Sequence, residues 1–271
     1  MTNKLISVIF ATYNENYFFL EKSINSILNQ TYKNFELIIV LEPDDINSEY
    51  LFKLSKSDER IKIFHNENNL GLTKSLNKAL SVCSGNFIAR MDSDDISSYN
   101  RFEDQLMQMN SRKLDLIASD CNLIDHNNLV LGIRKYSKNS VKYNFLFRNG
   151  ICHPSVFFKS ELISKYGNYN EDFIMSEDLE LWLRFLSKKV KMGYSKKILI
   201  DYRLPKTSLF RNKKNWIYNF KARYKHIFKI YNPIIGVFSL IVPLLFSIIP
   251  NNGSLNNFME KIYTFFNIFK R

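Results

Sequence analysis

The sequence predicts an α/β protein: a parallel sheet with helices on both faces, followed by a basic and apolar helical tail. Three observations predict it. Apolar runs rich in β-branched residues alternate with segments of helical period four times within about the first 90 residues, the rhythm of parallel strands joined by crossover helices. The runs are continuous rather than alternating, as expected of strands buried on both faces. Polar, acid-rich stretches follow them directly, at the strand ends where open α/β sheets bind ligands.

The elements follow in order. "LISVIF" (5–10) reads as the first strand. From Tyr17 the period changes, with Leu20, Ile24, Ile27 and Leu28 on one helical face. "FELIIVL" (35–41) is the second strand, a polar helix covers 47–56, and "IKIFHN" (61–66) is the third strand. Leu72, Leu76, Ala79, Leu80 and Cys83 mark an amphipathic helix, and "NFIARM" (86–91) is the fourth strand. After residue 113 the rhythm changes. "LDLIASD" (114–120) extends the sheet, "CNLIDHNNLVLGIRKY" forms a hairpin turning at His126-Asn127-Asn128, and "CHPSVFF" (152–158) is strand-like. "SEDLELWLRFLSKK" (176–189) is a helix with Ser176 as its N-cap and Leu179, Trp182, Leu183 and Leu186 on its buried face.

Composition bounds the function. Of 271 residues 45% are apolar and 15% aromatic, which excludes disorder. Cys83, Cys121 and Cys152 have neither metal-like nor disulfide-like spacing and read as reduced thiols of a cytoplasmic protein. "LISVIFA" is too short for a signal peptide. The net charge of +12 is unevenly placed: residues 202–271 hold twelve Lys/Arg and one acid, Glu260, while residues 1–201 hold 26 bases and 25 acids. A nucleic-acid-binding domain spreads its basic stripe over the folded body, so no nucleic-acid partner is expected.

Three stretches sit at strand ends: "ATYNEN", "EPDD" and "DSDD". Neither a dinucleotide fingerprint nor a P-loop is present. Asp92, Asp94 and Asp95 taken alone are equally a solvated acidic turn; if a nucleotide binds, Asp94 and Asp92 offer the hard oxygen ligands that suit Mg²⁺ or Mn²⁺. Glu177 and Asp178, taken alone, are ordinary acids in a helical first turn.

In the tail, Arg203 to Lys229 carries nine bases and no acid, interleaved with aromatic residues, before the uncharged "PIIGVFSLIVPLLFSIIP" (233–250). Its apolar run is short of the roughly 20 residues of a membrane span, and Gly236 and Pro243 are expected to kink it. A membrane-surface or re-entrant anchor is preferred, since each Lys or Arg near an anionic leaflet contributes about 1 kcal/mol. The alternative is a helical cap on the body or a dimer interface.

Read together, "SVIFATYNEN", "SILNQTYKNFELIIV", "NENNLGLTKSLNKAL", "GNFIARMDSDDIS", "RFEDQ", "HPSVFF" and "SEDLELWLR" resemble, in order, the family 2 glycosyltransferases, the inverting GT-A enzymes of bacterial polysaccharide and lipopolysaccharide synthesis. The resemblance spans about residues 4–203. It implies a Rossmann-like GT-A catalytic domain over 1–203, with a nucleotide-sugar half (1–113) and an acceptor half (114–203), ahead of a membrane-associating region (204–271). It implies a UDP-sugar donor, with Thr12, Tyr13 and Glu15 lining the nucleotide pocket and Glu42 reading the base. It also implies Asp94 as direct metal ligand, Asp92 between ribose and metal, and Asp95 capping the next turn. Asp178 would be the general base and Glu177 its neighbour positioning acceptor or base, with Trp182 and Arg184 in helix packing. Two departures stand out. "LEPDD" replaces the family's Asp-Asp-Gly-Ser stretch, and "YRLPKTS" places Pro205 where relatives carry a histidine, leaving Arg203 or Lys206 to reach the diphosphate. His153 is a structural histidine or a substrate contact. The implied acceptor is a glycan or a polyprenyl- or lipid-linked sugar, and the implied location is cytoplasmic and peripheral to the inner membrane.

Two other functions compete. A sugar-phosphate nucleotidyltransferase should carry a glycine-rich basic loop after strand one, and "ATYNEN" has neither. An inactive membrane-associated GT-A-like module should have lost Asp94 or Asp178, and both are present.

Overall fold

A computed structural model describes residues 4–136, 140–204 and 213–248. Its centre is a nine-stranded mixed sheet. The strands are β1 (Ile6–Thr12), β2 (Phe35–Leu41), β3 (Ile61–His65), β4 (Phe87–Met91), β5 (Ile96–Ser97), β6 (Leu116–Ile124), β7 (Val130–Arg134), β8 (Phe157–Lys159) and β9 (Met192–Arg203). They lie in the order β3-β2-β1-β4-β8-β6-β9-β5, with β7 pairing β6. β3, β2, β1 and β4 run parallel, so the order reverses direction between β1 and β4. That reversal opens a crevice at the carboxyl ends of those two strands. Every residue of β2 is buried, Glu36 included, so both faces of the sheet are covered there, as its largely apolar run predicts.

The crossovers are α1 (Tyr17–Leu28), α2 (Ser48–Ser57) and α3 (Leu72–Ser81). Asn16 caps α1 by accepting the Phe18 N–H at 3.0 Å. In α3 the expected apolar face is incomplete, because Leu72 is exposed. The helix α4 (Arg101–Arg112), whose start is "RFEDQ", has an intelligible role. Arg101 is wholly buried and donates to the carbonyls of Arg90 and Val156 at 3.0 and 3.1 Å. Gln105 donates to the Ser155 carbonyl at 2.8 Å. The helix thereby ties β4 to the chain entering β8.

The second half departs from expectation in three places. "CHPSVFF" is not one strand: His153–Ser155 forms a 3-10 turn and only Phe157–Lys159 joins the sheet. Pro154 lacks the N–H a ladder needs, and the Ser155 N–H turns back to the Cys152 carbonyl at 3.0 Å. "LDLIASD" and the first arm of the hairpin are one strand, β6, with the expected turn between Asp125 and Leu129. β9 carries Lys196 and Lys197 in its middle, which interrupt any apolar pattern, yet it lies parallel to β6.

Short helices α5 (Val141–Asn144) and α6 (Glu161–Tyr166) precede α7 (Glu177–Ser187). The tail contributes α8 (Lys213–Ile230) and α9 (Pro233–Ile248). α8 buries Trp216, Ala222, Arg223, His226 and Ile227. It joins α7 through His226 to Glu180, at 2.8 Å. α9 runs without interruption through Pro243. Gly236 serves close packing rather than a kink, since a Cβ there would meet the Phe228 ring of α8 at 2.8 Å. Among the described residues no helix is long and apolar enough to cross a membrane.

Candidate active site

The crevice between β1 and β4 is built from the loops the sequence marks. The backbone of Asn14 is left-handed, with φ 51°. Its N–H donates to Asp45 at 3.0 Å and its side chain accepts the Ile46 N–H at 3.0 Å, so the loops after β1 and β2 are laced together. Asn47 donates to the Glu15 carbonyl at 2.9 Å. Thr12 is buried with its hydroxyl oxygen unpartnered, while Tyr13 is half exposed. Glu42 is buried at the end of β2 and accepts from the Leu70 N–H at 2.9 Å and Ser75 Oγ at 2.6 Å. It thus secures the loop that Gly71, at φ 75°, turns into α3.

Beyond β4 the oxygens of Asp92, Asp94 and Asp95 lie within 4.8 Å of one another. Glu15 faces them, accepting from Ser93 Oγ at 3.3 Å. Burial, then Asp92 and Glu15, push the Asp94 carboxyl up to about 7. Burial and both neighbouring acids raise Asp95 well above the usual carboxylate range. Asp95 does not cap the following turn. One of its oxygens accepts the Arg203 N–H at 2.7 Å across the sheet, and the other is buried with no partner. Three hard carboxylates that repel one another, one with an orphaned buried oxygen, form a donor set that fits Mg²⁺ or Mn²⁺. The sequence alone missed the countercharge. Arg90, buried within β4, pairs with Asp92, which outweighs the cost of burial and keeps the guanidinium protonated. A lone arginine in the apolar run "FIARM" was the available signal, because a buried charge needs a partner.

The second acidic group lies at the start of α7. Burial and Asp178 push the Glu177 carboxyl up to about 7. Burial also raises Asp178, against the Leu179 N–H at 2.7 Å and the Asn149 amide, which both donate to it. The two acidic groups feel the same charges: Arg90 and Asp92 both act on Glu177 and Asp178. Ser176 precedes the helix, yet its side chain makes no cap. Its left-handed φ of 57° turns the hydroxyl to Asn215 of α8, at 2.9 Å.

The remaining expectations divide. Trp182 is fully buried among His153, Phe158, Tyr169 and Phe185, and Arg184 binds the carbonyls of Tyr166 and Asn168, so both are packing residues. His153 contacts Tyr169 Oη at 2.8 Å; burial and Arg90 hold it well below its ordinary pKa, as befits a neutral structural ring. Arg203 braces protein rather than facing the crevice freely. It donates to the Asp94 and Asp125 carbonyls at 2.8 and 2.6 Å and to Asn128 at 2.7 Å, stacked over Phe19. Pro205 and Lys206 lie outside the described residues.

Residues 7–160 match the family described as Glycosyl transferase family 2. An uncharacterised glycosyltransferase of Methanocaldococcus jannaschii is 37% identical over 234 residues, covering 83% of this chain and 80% of that protein. The Escherichia coli UDP-Glc:alpha-D-GlcNAc-diphosphoundecaprenol beta-1,3-glucosyltransferase WfgD is 33% identical over 219 residues, covering 79% of this chain and 82% of that protein. In fold, the chain resembles S. aureus TarS 1-349 in complex with UDP-GlcNAc, with a TM-score of 0.69 at 17% identity, over 92% of this chain and 74% of that one. It spans 44% of the longer TarS chain. The sheet, the crevice with its acids, and these matches agree: the chain belongs to glycosyl transferase family 2.

Proposed function

We propose that this protein is an inverting glycosyltransferase that moves a sugar from a UDP-sugar to a glycan or lipid-linked acceptor in surface polysaccharide synthesis. One observation carries the reading: a metal-type carboxylate cluster at the end of β4 is accompanied by a second, buried acidic pair at the start of α7, on which the charges of Arg90 and Asp92 act. The activity named for WfgD, transfer of glucose from UDP-Glc to a diphosphoundecaprenol-linked sugar, supports the substrate class.

In this reading Thr12, with its free buried hydroxyl, and the exposed ring of Tyr13 receive the nucleotide, beside Glu15, Glu42 and Asp92. Asp94 and Asp92 hold a divalent ion, with Asp95 beside them. A bound Mg²⁺ or Mn²⁺ supplies positive charge that stabilises the departing diphosphate. Asp178 accepts the proton of the acceptor hydroxyl as its oxygen attacks the anomeric carbon and the bond to the diphosphate breaks. Its raised pKa moves it toward the operating pH, which favours general-base catalysis. Glu177, titrating near 7, is able to hydrogen-bond the incoming hydroxyl as donor or acceptor.

The tail supports action at a membrane surface, at the cytoplasmic face of the inner membrane. Ile234, Val237, Phe238, Ile241, Leu244 and Leu245 recur at helical spacing along α9, each at least 40% exposed. Lys221, Lys225 and Lys229 lie on the adjoining α8.

A panel of UDP-, GDP- and dTDP-sugars with Mn²⁺, scored for nucleoside diphosphate release, tests the reading. Release of UDP from one sugar, abolished by EDTA and by Asp94→Ala, is the expected result. No release and no calorimetric binding of any nucleotide with metal present would favour an inactive module.

A further inference from the structure

We propose that Asn149 is a positioning residue for Asp178, and that Arg223 on the C-terminal hairpin holds it in place, so that α8 is part of the catalytic apparatus. The inference rests on reading Asp178 as the general base.

Asp178 has two carboxylate oxygens to orient. One is fixed by the backbone N–H of Leu179, its own neighbour. The other accepts from the Asn149 side-chain amide, 29 residues away in sequence. Asn149 sits in the stretch after α5, where no sheet ladder holds the backbone. α8 shares the restraint with Tyr194 of β9, which donates to the Gly150 carbonyl at 2.5 Å, and Ser239 of α9, which donates to the Leu146 carbonyl at 2.5 Å. Arg223, with no exposed surface, donates to the carbonyls of Phe145 and Leu146, the latter at 2.9 Å, and to that of Arg148 at 3.0 Å. It also donates to Asn219 at 2.7 Å and to Ser239 of α9 at 3.0 Å. Tyr231, just beyond α8, donates to the Lys142 carbonyl. A buried arginine spending its fork on three carbonyls within one four-residue stretch fixes that loop as a ladder would. On the other side of Asp178, Asn215 of α8 holds Ser176. The helix thus grips the base from both flanks. The charged or titratable groups around Asp178 are Glu177 on α7, Arg90 and Asp92 from the β4 end, and Tyr169.

The test compares four proteins, each spanning all 271 residues: wild type, Asn149→Ala, Arg223→Lys and Asp178→Asn. Two readouts are taken. One is the titration of the Asp178 carboxyl, identified by ¹³C NMR as the signal missing from Asp178→Asn. The other is kcat for UDP release from the UDP-sugar selected by the donor panel, alongside calorimetric affinity for UDP with Mn²⁺. Asn149 donates to the ionised carboxylate, so its removal is expected to move the Asp178 titration upward. It should also lower kcat about 10- to 100-fold with UDP affinity within twofold. Arg223→Lys keeps the charge but not the fork, and should move both readouts the same way by less. Unchanged titration and kcat in Asn149→Ala overturn the positioning role. A lowered melting temperature in Arg223→Lys with both readouts unchanged makes Arg223 merely structural. Retained UDP release in Asp178→Asn instead sinks the general-base reading itself.

Discussion

In the proposed reading, the donor side of the crevice and its acceptor side are held by different means. On the donor side each functional loop leaves a strand locked into a parallel ladder: Thr12 pairs with Leu41 at the end of β1, and Asp92 follows β4 directly. The backbone there is fixed before any side chain acts. On the acceptor side Asp178 starts a helix entered through a left-handed serine, and its partner Asn149 lies in an irregular loop. Side chains restrain those two segments instead: Asn215 and Arg223 of α8, with Ser239 of α9 on the Leu146 carbonyl and Tyr194 of β9 on the Gly150 carbonyl. The contrast teaches that substitutions on the donor side should act through chemistry, at the residue changed, whereas the acceptor side is sensitive to residues that touch no substrate.

The sharpest break of that contrast is Asp178→Asn, which keeps the shape and removes the base. Transfer should fall by about 10³-fold or more, in the range of general-base contributions, while UDP affinity stays within twofold. Loss of UDP affinity to the same degree would move Asp178 to the donor side. Next in size is Asp94→Ala. Mn²⁺-dependent UDP affinity should fall roughly 100-fold, because the charge that balances the diphosphate is lost, and added EDTA should then make no further difference. A variant still sensitive to EDTA would place the ion elsewhere.

Glu177 allows a test by stability rather than rate. Folded, it holds its proton up to about 7, against 4.5 for the free side chain. Between those values the folded state binds more protons than the unfolded one, so ligand-free stability falls as pH rises from 4.5 to 7. Glu177→Gln removes that slope. The variant should match wild type near pH 4.5 and exceed it at pH 7.5 by on the order of 2 kcal/mol. Melting curves that stay parallel across this range would refute the assignment. The smallest effect is expected of Ser176→Gly. Glycine suits the left-handed backbone, but the bond to Asn215 is lost, so stability should change by less than about 1 kcal/mol. A fall in kcat without loss of stability would show that α8 orients the pair through this contact too.

How far the sequence could be read follows the same division. The four parallel strands were legible because apolar residues dominate each run, although Glu36 of β2 and Lys62 of β3 stand within them and pair with each other. Arg90, a charge in the midst of "FIARM", was a signal that a partner waited nearby. β9 was illegible because Lys196 and Lys197 interrupt it, Lys197 reaching out to Asp104 at 2.9 Å. The split of "CHPSVFF" was legible only in hindsight, through the missing N–H of Pro154. Among the site residues, Asp92, Asp94, Glu177 and Asp178 stand in short motifs, while Asn149 carries no motif at all.

By itself the sequence determined the alternation of strand and helix, the charge imbalance between body and tail, and the residue types available for chemistry, because these depend on local pattern and composition. Only the tertiary structure decided which charges meet. Arg90 pairs with Asp92 and its charge also acts on Glu177, some 85 positions further along the chain, and Arg223 of a basic tail becomes a buried brace. The physical reason is desolvation: a charge taken from water must find partners wherever the fold has put them, and no local pattern records where that is.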